Sequence, residues 1–391
     1  MSPVRILSVG AGGYAAVYLE ALQKLRRDDV AVVGMVEPYP QFSPICLTLQ
    51  KQGVPLYADM EDFFREHSGE ADLAVITTPI HLHTRQTLCA LAHGCHVMCE
   101  KPMSGQSSDE PILEEASRSS GKFVAIGYQW SYSPAILALK NDIRIGRYGA
   151  PLLLKTMVHW PRPRSYFTRG SGWGGRILAP DGTVINDSIL NNAAAHYLHN
   201  ILYVTGAMEN ESREAEDIRA DLLRVHAIEN FDTAALSFTI SGGGRGLYLA
   251  SHSTRVRREP MFEYRFTGGT VTYRERDHAI IGHLPNGEKK NYGDPFDNIN
   301  KKIEDAIEAV RRGGHWDVPC GIRAAAPQVR CVEAVQRFPI RDALPEKIRQ
   351  DSQNPDIIYL DGLDEILLEC YEREILPSSL PEYGGLIRHD S

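Results

Sequence analysis

The chain has 391 residues, with 42 lysines and arginines against 50 aspartates and glutamates, so its formal net charge is −8. This length predicts two domains or three small ones, and 43% hydrophobic with 24% charged residues is typical of a folded globular protein. The acidic balance and the lack of a basic block argue against a nucleic acid as partner. No apolar run approaches the roughly 18 residues that span a bilayer, so we expect no membrane-embedded segment.

The cysteines are an odd, scattered set, which predicts reduced thiols and a cytoplasmic location rather than a disulfide framework. They lie at positions 46, 89, 95, 99, 320, 331 and 370. His93, Cys95, His96 and Cys99 are close in sequence, as zinc ligands often are. Strand alternation separates them onto two faces, however, and no second ligand pair at zinc spacing follows, so we expect no metal.

The first 127 residues alternate short apolar runs with segments of helical spacing. Runs that are buried on both faces and separated by helices are typical of a parallel sheet. We therefore predict an α/β Rossmann domain over residues 1–127. The predicted strands are Val4–Val9, Val30–Val36, Leu73–Ile76, His96–Cys99 and residues 122–126, with helices from residue 15, over 82–92 and from about 107 to 121.

After Gly127 the pattern changes. Residues 234–240 and 262–266 alternate apolar and polar side chains, as half-buried strands do, and Asn286-Gly287 is a hairpin signal. We predict an α+β domain with a mostly antiparallel sheet over residues 128–340. Helices are expected at 134–145, 299–312 and 323–337, and residues 341–391 are predicted to be a C-terminal extension that packs on the body.

A glycine-rich turn lies between the first predicted strand and the first predicted helix. Gly10, Gly12, Gly13 and Tyr14 precede Ala15 in a G-x-G-x-x-A pattern, the fingerprint of a dinucleotide site. The first glycine permits the tight turn, the second lets the backbone approach a pyrophosphate, and the small Ala15 lets helix and strand pack closely. The helix N-terminus then offers free N–H groups to the phosphates.

An acidic residue, Glu37, ends the second predicted strand, 22 residues after Ala15. A carboxylate at this point binds the 2′- and 3′-hydroxyls of a ribose. It repels a 2′-phosphate, and no arginine follows directly, so NAD is favoured over NADP.

Three later motifs resemble the Gfo/Idh/MocA family, named for glucose–fructose oxidoreductase and inositol dehydrogenase. Thr78-Pro79-Ile-His81-Leu-His83 precedes Glu100-Lys101-Pro102 by the family's interval, and residues 191–206 resemble its second catalytic helix. The resemblance spans residues 4 to about 340. It implies a Rossmann domain joined to a second domain with a large open sheet, which binds substrate and is often used for oligomer contacts. It also implies an enzyme that oxidises or reduces a secondary alcohol of a sugar, cyclitol or related ring with a nicotinamide. The cofactor residues that it implies are Thr78, Pro79, His81, His83, Glu100 and Lys101.

Lys101 is the first predicted catalytic residue. It lies just past the carboxyl end of a strand, where open α/β sheets place their ligands. Its ammonium can hydrogen-bond the reacting oxygen and stabilise alkoxide character. The resemblance implies that the Glu100-Lys101 region contacts the nicotinamide.

His196 is the second predicted catalytic residue, because it aligns with the catalytic histidine of the family. Asn192, His196, His199 and Tyr203 have the spacing of one helix face, which predicts a polar stripe on the wall of a cleft. An unperturbed imidazole, with a pKa near ~6.5, suits a general acid/base. Many family members carry aspartate at the positions of Asn192 and His199, and Asp187 upstream is a possible substitute.

A loop rich in aromatic and arginine residues follows, and we predict that it binds substrate. Trp160, Arg162, Tyr166 and Trp173 combine rings that stack on sugars with guanidinium groups that bind hydroxyls, carboxylates or phosphates. Asn192, His199 and Gln129 complete the predicted substrate-binding set.

The leading functional hypothesis is an NAD-dependent oxidoreductase that acts on a sugar, glycoside or cyclitol. One alternative is a redox-neutral NAD-dependent lyase or glycosidase that oxidises a ring carbon transiently, and another is a non-catalytic NAD-sensing regulator. We expect a small carbohydrate or polyol as the substrate. An exposed face of the antiparallel sheet would favour a homo-oligomer, either a dimer or a tetramer.

Overall fold

The structure is a computed structural model that describes residues 2–24, 29–168, 172–313 and 318–388. The chain divides into two compact units, each built from two segments. The first unit comprises Met1–Tyr132 and Asn298–Ala326, and the second comprises Ser133–Asp297 and Pro327–Ser391.

Helices and strands are numbered in chain order through both units. The helices of the described residues are α1 Ala15–Lys24, α2 Pro44–Lys51, α3 Met60–Glu66, α4 His83–Ala92, α5 Asp109–Ser120, α6 Pro134–Arg144, α7 Arg164–Thr168, α8 Ala195–Val204, α9 Lys301–Arg311, α10 Ile322–Val335, α11 Leu363–Arg373 and α12 Pro381–Gly384. The strands are β1 Val4–Val9, β2 Val30–Val36, β3 Leu56–Tyr57, β4 Leu73–Ile76, β5 His96–Cys99, β6 Val124–Ile126, β7 Pro151–His159, β8 Ala215–Arg224, β9 Thr233–Ile240, β10 Arg245–Ser251, β11 Arg258–Phe266, β12 Gly269–Arg274, β13 Ala279–His283, β14 Lys289–Gly293, β15 Ile340–Asp342, β16 Ile348–Gln350 and β17 Ile358–Leu360.

The first unit contains a six-stranded sheet in the order β3-β2-β1-β4-β5-β6. All its neighbouring strands are parallel. This order confirms the predicted Rossmann architecture, in which the strands run toward one common edge. Four strands begin and end where the apolar runs predicted, whereas β3, α2 and α3 were not predicted.

Helix α9 completes the core of the first unit. Ile303, Ala306 and Ile307 pack in one cluster with side chains of β1, β4, β5 and β6. The contacts therefore divide the chain differently from the three contiguous domains predicted, because residues 298–326 return to the first unit.

The second unit contains a nine-stranded sheet in the order β14-β13-β12-β11-β7-β10-β9-β8-β15. Six of its eight strand pairs are antiparallel, and only β7–β10 and β8–β15 are parallel. This topology confirms the predicted α+β fold with a mostly antiparallel sheet. Asn286 and Gly287 form the β13–β14 turn, as predicted.

The residues predicted as a C-terminal extension belong to the second unit as far as they are described. Leu363, Leu367, Cys370 and Tyr371 of α11 lie in one apolar cluster with side chains of β7, β8, β9 and β10. This segment covers the central strands on one face of the sheet. Oligomerisation was predicted from an exposed sheet face, and the oligomeric state stays a prediction.

Two further features bear on the sequence-based expectations. All seven cysteines are free, and six of them are buried. Among the described helices, none is long and apolar enough to cross a membrane. The cytoplasmic location stays a prediction.

Leu367→Ala tests how much the C-terminal segment contributes to the second unit. Leu367 is 0% exposed within the apolar cluster, so the substitution is expected to lower the free energy of unfolding by roughly 2–5 kcal/mol. Urea unfolding followed by circular dichroism measures the change. Leu152 on β7 is 54% exposed, and Leu152→Ala is the matched control; equal losses in the two variants would contradict the assignment.

Candidate nucleotide site and substrate surface

The turn after β1 has a backbone that only glycine tolerates at its first position. Gly10 has a φ of +90°, and a Cβ atom there would lie 3.0 Å from Thr77 Oγ1. The Gly10 N–H donates to the Val36 carbonyl (2.8 Å), which ties the turn to the end of β2. Ala15 is buried where α1 begins. The predicted roles of the glycines and of Ala15 agree with this geometry.

The first turn of α1 presents unsatisfied backbone donors. Within the described part of the chain, no protein acceptor contacts the N–H groups of Gly12, Gly13 and Tyr14. These groups precede a ten-residue helix, whose N-terminus carries the positive end of the helix dipole. The arrangement fits a pyrophosphate.

Glu37 lies directly beside this turn. Its carboxylate accepts hydrogen bonds from the N–H groups of Ala11 (2.9 Å) and Tyr39 (3.0 Å), so its position at the end of β2 is fixed. Sequence reasoning did not identify Tyr39 and Phe42, which are 61% and 77% exposed and offer flat apolar faces on which a planar base can stack. The glycine turn, its backbone N–H donors and the fixed carboxylate of Glu37 together fit the phosphates and the ribose of a dinucleotide.

His83 connects the loops that follow β4 and β5. Its ring nitrogens lie 2.7 Å from the Pro102 carbonyl oxygen and 2.9 Å from the Thr78 carbonyl oxygen. Burial lowers the pKa of His83, although the two carbonyls partly oppose this. His83 is buried and holds these two loops together, whereas Thr78, Pro79 and His81 are half-buried.

Glu100 is buried and engages partners inside the unit. One carboxylate oxygen accepts hydrogen bonds from Tyr18 and Lys302, and the other accepts one from the Lys101 N–H (3.1 Å). Burial alone would raise the pKa of Glu100, but Lys302 first and Lys101 second outweigh it, so the pKa lies below its ordinary value. The carboxylate is therefore a fixed anion, and sequence reasoning missed Lys302 as its partner.

Lys101 and Gln129 follow neighbouring strands of the parallel sheet. Lys101 comes two residues after the end of β5 and Gln129 three residues after the end of β6, and both are half-buried. The peptide bond between Lys101 and Pro102 is cis. Both residues thus lie at the carboxyl edge of the sheet, as predicted.

In the second unit, the predicted polar stripe is corrected. Helix α8 begins at Ala195, so Asn192 lies in the preceding turn and not on the helix. All ten residues of α8 are buried, and His196 is in its first turn. A helix that is apolar on most sides packs within a core, so α8 does not form a broad wall toward solvent.

His199 has the surroundings of a core residue. It is 1% exposed, and its ring stacks on Tyr203 with centroids 5.3 Å apart. The Lys140 ammonium lies 3.5 Å from the centroid of the Tyr203 ring. Burial, and then Lys140, keeps the pKa of His199 well below its ordinary value, so the imidazole is neutral.

The aromatic and arginine residues of the loop after β7 contact one another. The Arg162 guanidinium lies 4.7 Å from the Tyr166 ring and 5.8 Å from the Trp160 ring, and Asn192 Nδ2 donates to the Tyr166 hydroxyl (3.4 Å). Trp160 Nε1 donates to Glu259 (2.9 Å). Four predicted substrate residues therefore form one half-buried surface within the second unit.

Two buried histidines that were not predicted hold this loop. His252 Nδ1 lies 2.8 Å from the Trp160 carbonyl oxygen, and His226 Nε2 lies 3.2 Å from the Arg162 carbonyl oxygen. Burial, and then Arg162, lowers the pKa of His252 to about 3, so its ring stays neutral at ordinary pH. Asp232 accepts from His226 Nδ1 at 2.8 Å.

Trp173 and Asp187 belong to the next part of the loop. Trp173 is half-buried. The Asp187 carboxylate, considered as a substitute base, accepts a hydrogen bond of 2.5 Å from the Gly175 N–H. Asp187 therefore shapes the backbone close to Trp173. Among the described residues, no group of three or more metal-ligating side chains gathers; the expectation of no metal stays a prediction.

Comparisons with known proteins define the class of the nucleotide site. A sequence profile for an oxidoreductase family with an NAD-binding Rossmann fold matches residues 4–128. Inositol 2-dehydrogenase of Burkholderia multivorans is 30% identical over 151 residues, which are 38% of this chain and 44% of the relative. The chain thus spans less than half the length of this curated relative.

Two solved structures share the fold of this chain. The WlbA dehydrogenase from Bordetella pertussis, in complex with NADH and UDP-GlcNAcA, has a TM-score of 0.67 at 20% identity, covering 86% of this chain and 96% of that one. An inositol dehydrogenase homolog from Azotobacter vinelandii, complexed with NAD⁺, has a TM-score of 0.69 at 16% identity, with 86% and 96% covered.

The first unit thus contains a segment, residues 4–128, that matches an oxidoreductase family with an NAD-binding Rossmann fold. More particularly, residues 4–128 match the model of the Gfo/Idh/MocA family, which confirms the resemblance carried by the motifs of this segment. NAD is confirmed as the cofactor of this class of site, and the preference for NAD over NADP stays a prediction.

Glu37→Ala tests that preference. Loss of a charged acceptor is expected to weaken NAD binding by roughly tenfold or more. Without the Glu37 carboxylate, the repulsion toward a 2′-phosphate is lost, so the affinity for NADP is expected to rise relative to that for NAD. Isothermal titration calorimetry with both cofactors measures this, and Glu20→Ala, at an exposed carboxylate on α1, is the control. An unchanged affinity ratio would refute the role of Glu37.

Asp232→Asn tests how the substrate loop is held. Burial would raise the pKa of Asp232, but hydrogen bonds from His226 and the Val225 N–H lower it. Because the pKa of Asp232 is lower in the folded state, its ionised form stabilises the fold at pH values above the unfolded pKa of about 4. This contribution to the free energy of unfolding is lost as the pH falls through the lower, folded-state pKa. We expect Asp232→Asn to lose roughly 1–3 kcal/mol at pH 7 and to show a flatter acid profile of melting temperature than the wild type. Asp297→Asn, at an exposed position, should match the wild type at every pH.

Proposed function

We propose that the chain is an NAD-dependent dehydrogenase that transfers a hydride between a secondary alcohol and the nicotinamide. The alcohol belongs to a sugar, a glycoside or a cyclitol. The observation that carries the proposal is Lys101, which follows β5 at the carboxyl edge of a Gfo/Idh/MocA Rossmann sheet. Glu37 and the glycine turn lie at the same edge and fit the rest of the cofactor.

Lys101 supplies the electropositive donor in this reaction. NAD, held by the glycine turn and Glu37, would supply the acceptor or donor of the hydride at the carbinol carbon. The Lys101 ammonium hydrogen-bonds the carbinol oxygen and stabilises the negative charge that develops there. Its backbone is fixed by the hydrogen bond from its N–H to Glu100 (3.1 Å), so the donor is positioned before substrate arrives.

His196 moves the hydroxyl proton as general acid/base. It lies in the first turn of α8, and an imidazole is the side chain best suited to proton exchange near neutral pH. Asn192 cannot serve as a charged partner, since it carries an amide that donates to Tyr166. His199 packs in the core, and we assign it a structural role.

The loop after β7 recognises the ring of the substrate. Trp160 and Tyr166 provide faces on which a sugar stacks, and Arg162 provides donors for hydroxyls or a carboxylate. Asn192, Gln129 and Trp173 complete the set. The WlbA structure contains UDP-GlcNAcA, which favours including uronates among the substrates tested.

The proposal is tested by incubating the purified protein with NAD⁺ and a panel of inositols, neutral sugars, uronates and glycosides. The formation of NADH is measured by its absorbance. We expect net NADH with at least one member. Lys101→Met is expected to lower kcat by roughly 10²–10⁴-fold while NAD binding remains, and His196→Asn by roughly 10²-fold. Lys51→Met, at an exposed lysine of α2, is the control.

A redox-neutral lyase or glycosidase would give a different result. Product would then form from a glycoside without net NADH, and Lys101→Met would still abolish turnover. Full activity of Lys101→Met in either assay would overturn the proposal. NAD binding without turnover of any compound would favour a regulator that senses NAD.

A further inference from the structure

Lys302 is a buried cation that the proposed mechanism does not use. It lies on α9, and its side chain is 2% exposed. Its ammonium donates to one carboxylate oxygen of Glu100 and approaches the Gly127 carbonyl at 3.4 Å. Glu100 follows β5 and Gly127 follows β6, so Lys302 lies beneath the same sheet edge as Lys101.

Two tyrosines of the nucleotide-binding segment surround this ammonium. The Tyr14 ring centroid lies 5.0 Å and the Tyr18 ring centroid 4.7 Å from Lys302 Nζ. The Tyr18 hydroxyl donates to the same oxygen of Glu100 that Lys302 contacts. The glycine turn, the end of β5 and helix α9 therefore share one charged cluster.

Glu100 and Lys302 form an ion pair inside the unit. Burial lowers the pKa of Lys302, and Glu100 opposes that effect. Burial would raise the pKa of Glu100, but Lys302 and Lys101 lower it. A buried charge without its partner is strongly unfavourable, so the two charges cancel and the ammonium of Lys101 is left as the net charge of the three.

We propose that Lys302 is a positioning residue that neutralises and fixes Glu100 and thereby sets the balance between NAD⁺ and NADH in the site. The inference rests on the proposed function and on the implication of the family resemblance that the Glu100-Lys101 region contacts the nicotinamide. The nicotinamide ring carries a positive charge in NAD⁺ and none in NADH. An unpaired anion beside the ring therefore favours the oxidised cofactor.

The other titratable groups around Glu100 remain neutral near pH 7. Burial raises the pKa values of Tyr14, Tyr18, Cys99 and Tyr128, and it lowers that of His83. The charge state of Glu100 is consequently the quantity that the substitution changes.

The test measures the dissociation constants of NAD⁺ and NADH for the full-length chain. In Lys302→Met, Glu100 is left as an anion at high pH, and the ratio Kd(NADH)/Kd(NAD⁺) is expected to rise about fivefold at pH 8.5. The increase should fade toward pH 6, because burial without Lys302 lets Glu100 take up a proton. A purely structural defect would weaken both cofactors equally.

Three matched variants complete the experiment. Lys302→Arg keeps the charge and should restore the wild-type ratio, and the double variant Glu100→Gln/Lys302→Met removes both charges and should do the same. Lys301→Met changes the neighbouring lysine, which pairs with Asp305, and should leave the ratio unchanged. Glu100→Gln alone leaves Lys302 unpaired and should lower the ratio below the wild-type value.

The inference is overturned if Lys302→Met weakens both cofactors by one factor, or if the double variant keeps the shift. Should Lys302→Met not fold, Glu100→Gln decides: a lowered ratio supports the inference and an unchanged ratio overturns it. If the wild-type protein binds neither NAD⁺ nor NADH, the proposed function is overturned as well. If it binds them and Lys302→Met leaves the ratio Kd(NADH)/Kd(NAD⁺) unchanged, only this inference is overturned.

Discussion

A carboxylate without access to bulk water imposes the main constraint on the first unit. Glu100 requires donors for both of its oxygens, because a buried anion without them is far more costly than an exposed one. The donors come from α1, from the backbone of Lys101 and from α9, 202 residues further along the chain. Satisfying this one group therefore brings three separate segments to the edge where the parallel strands end, and the nucleotide turn and Lys101 are both built on that edge.

The second unit meets a different requirement, since its large sheet has two faces to cover. Helix α8 packs on β7, and the segment around α11 packs on β7 and β10. With both faces supported, the loop that leaves β7 is positioned by its backbone carbonyls, which contact the buried rings of His226 and His252. The buried imidazole of His252 is neutral, so its Nδ1 can donate to the Trp160 carbonyl without placing a charge in the core. The aromatic and arginine surface is thus held by its backbone as well as by the contacts among its side chains.

The sequence predicts those features that local pattern determines. Continuous apolar runs predicted the bounds of four parallel strands. The glycine pattern predicted the turn after β1, and Asn286-Gly287 predicted a hairpin. Short elements such as β3 were missed because two residues carry no periodicity. The polar stripe was wrong at Asn192, since spacing alone does not reveal that the helix begins at Ala195. The sequence did not predict Lys302 as the partner of Glu100, because a lysine on an amphipathic helix is usually exposed. Only the topology shows that α9 packs against the parallel sheet.

The division of both units into two segments each has a consequence for how the chain is made. Synthesis from the ribosome delivers the six parallel strands first, but α9, with the apolar residues that close their core and the cation that neutralises Glu100, emerges only after almost the entire large sheet. The helix that covers β7 and β10 follows later still. Until these two helices emerge, the nascent chain exposes apolar sheet surface, which is the condition under which chaperones bind. Helices α9 and α11 therefore complete the two cores only after most of the strands that they cover have been made.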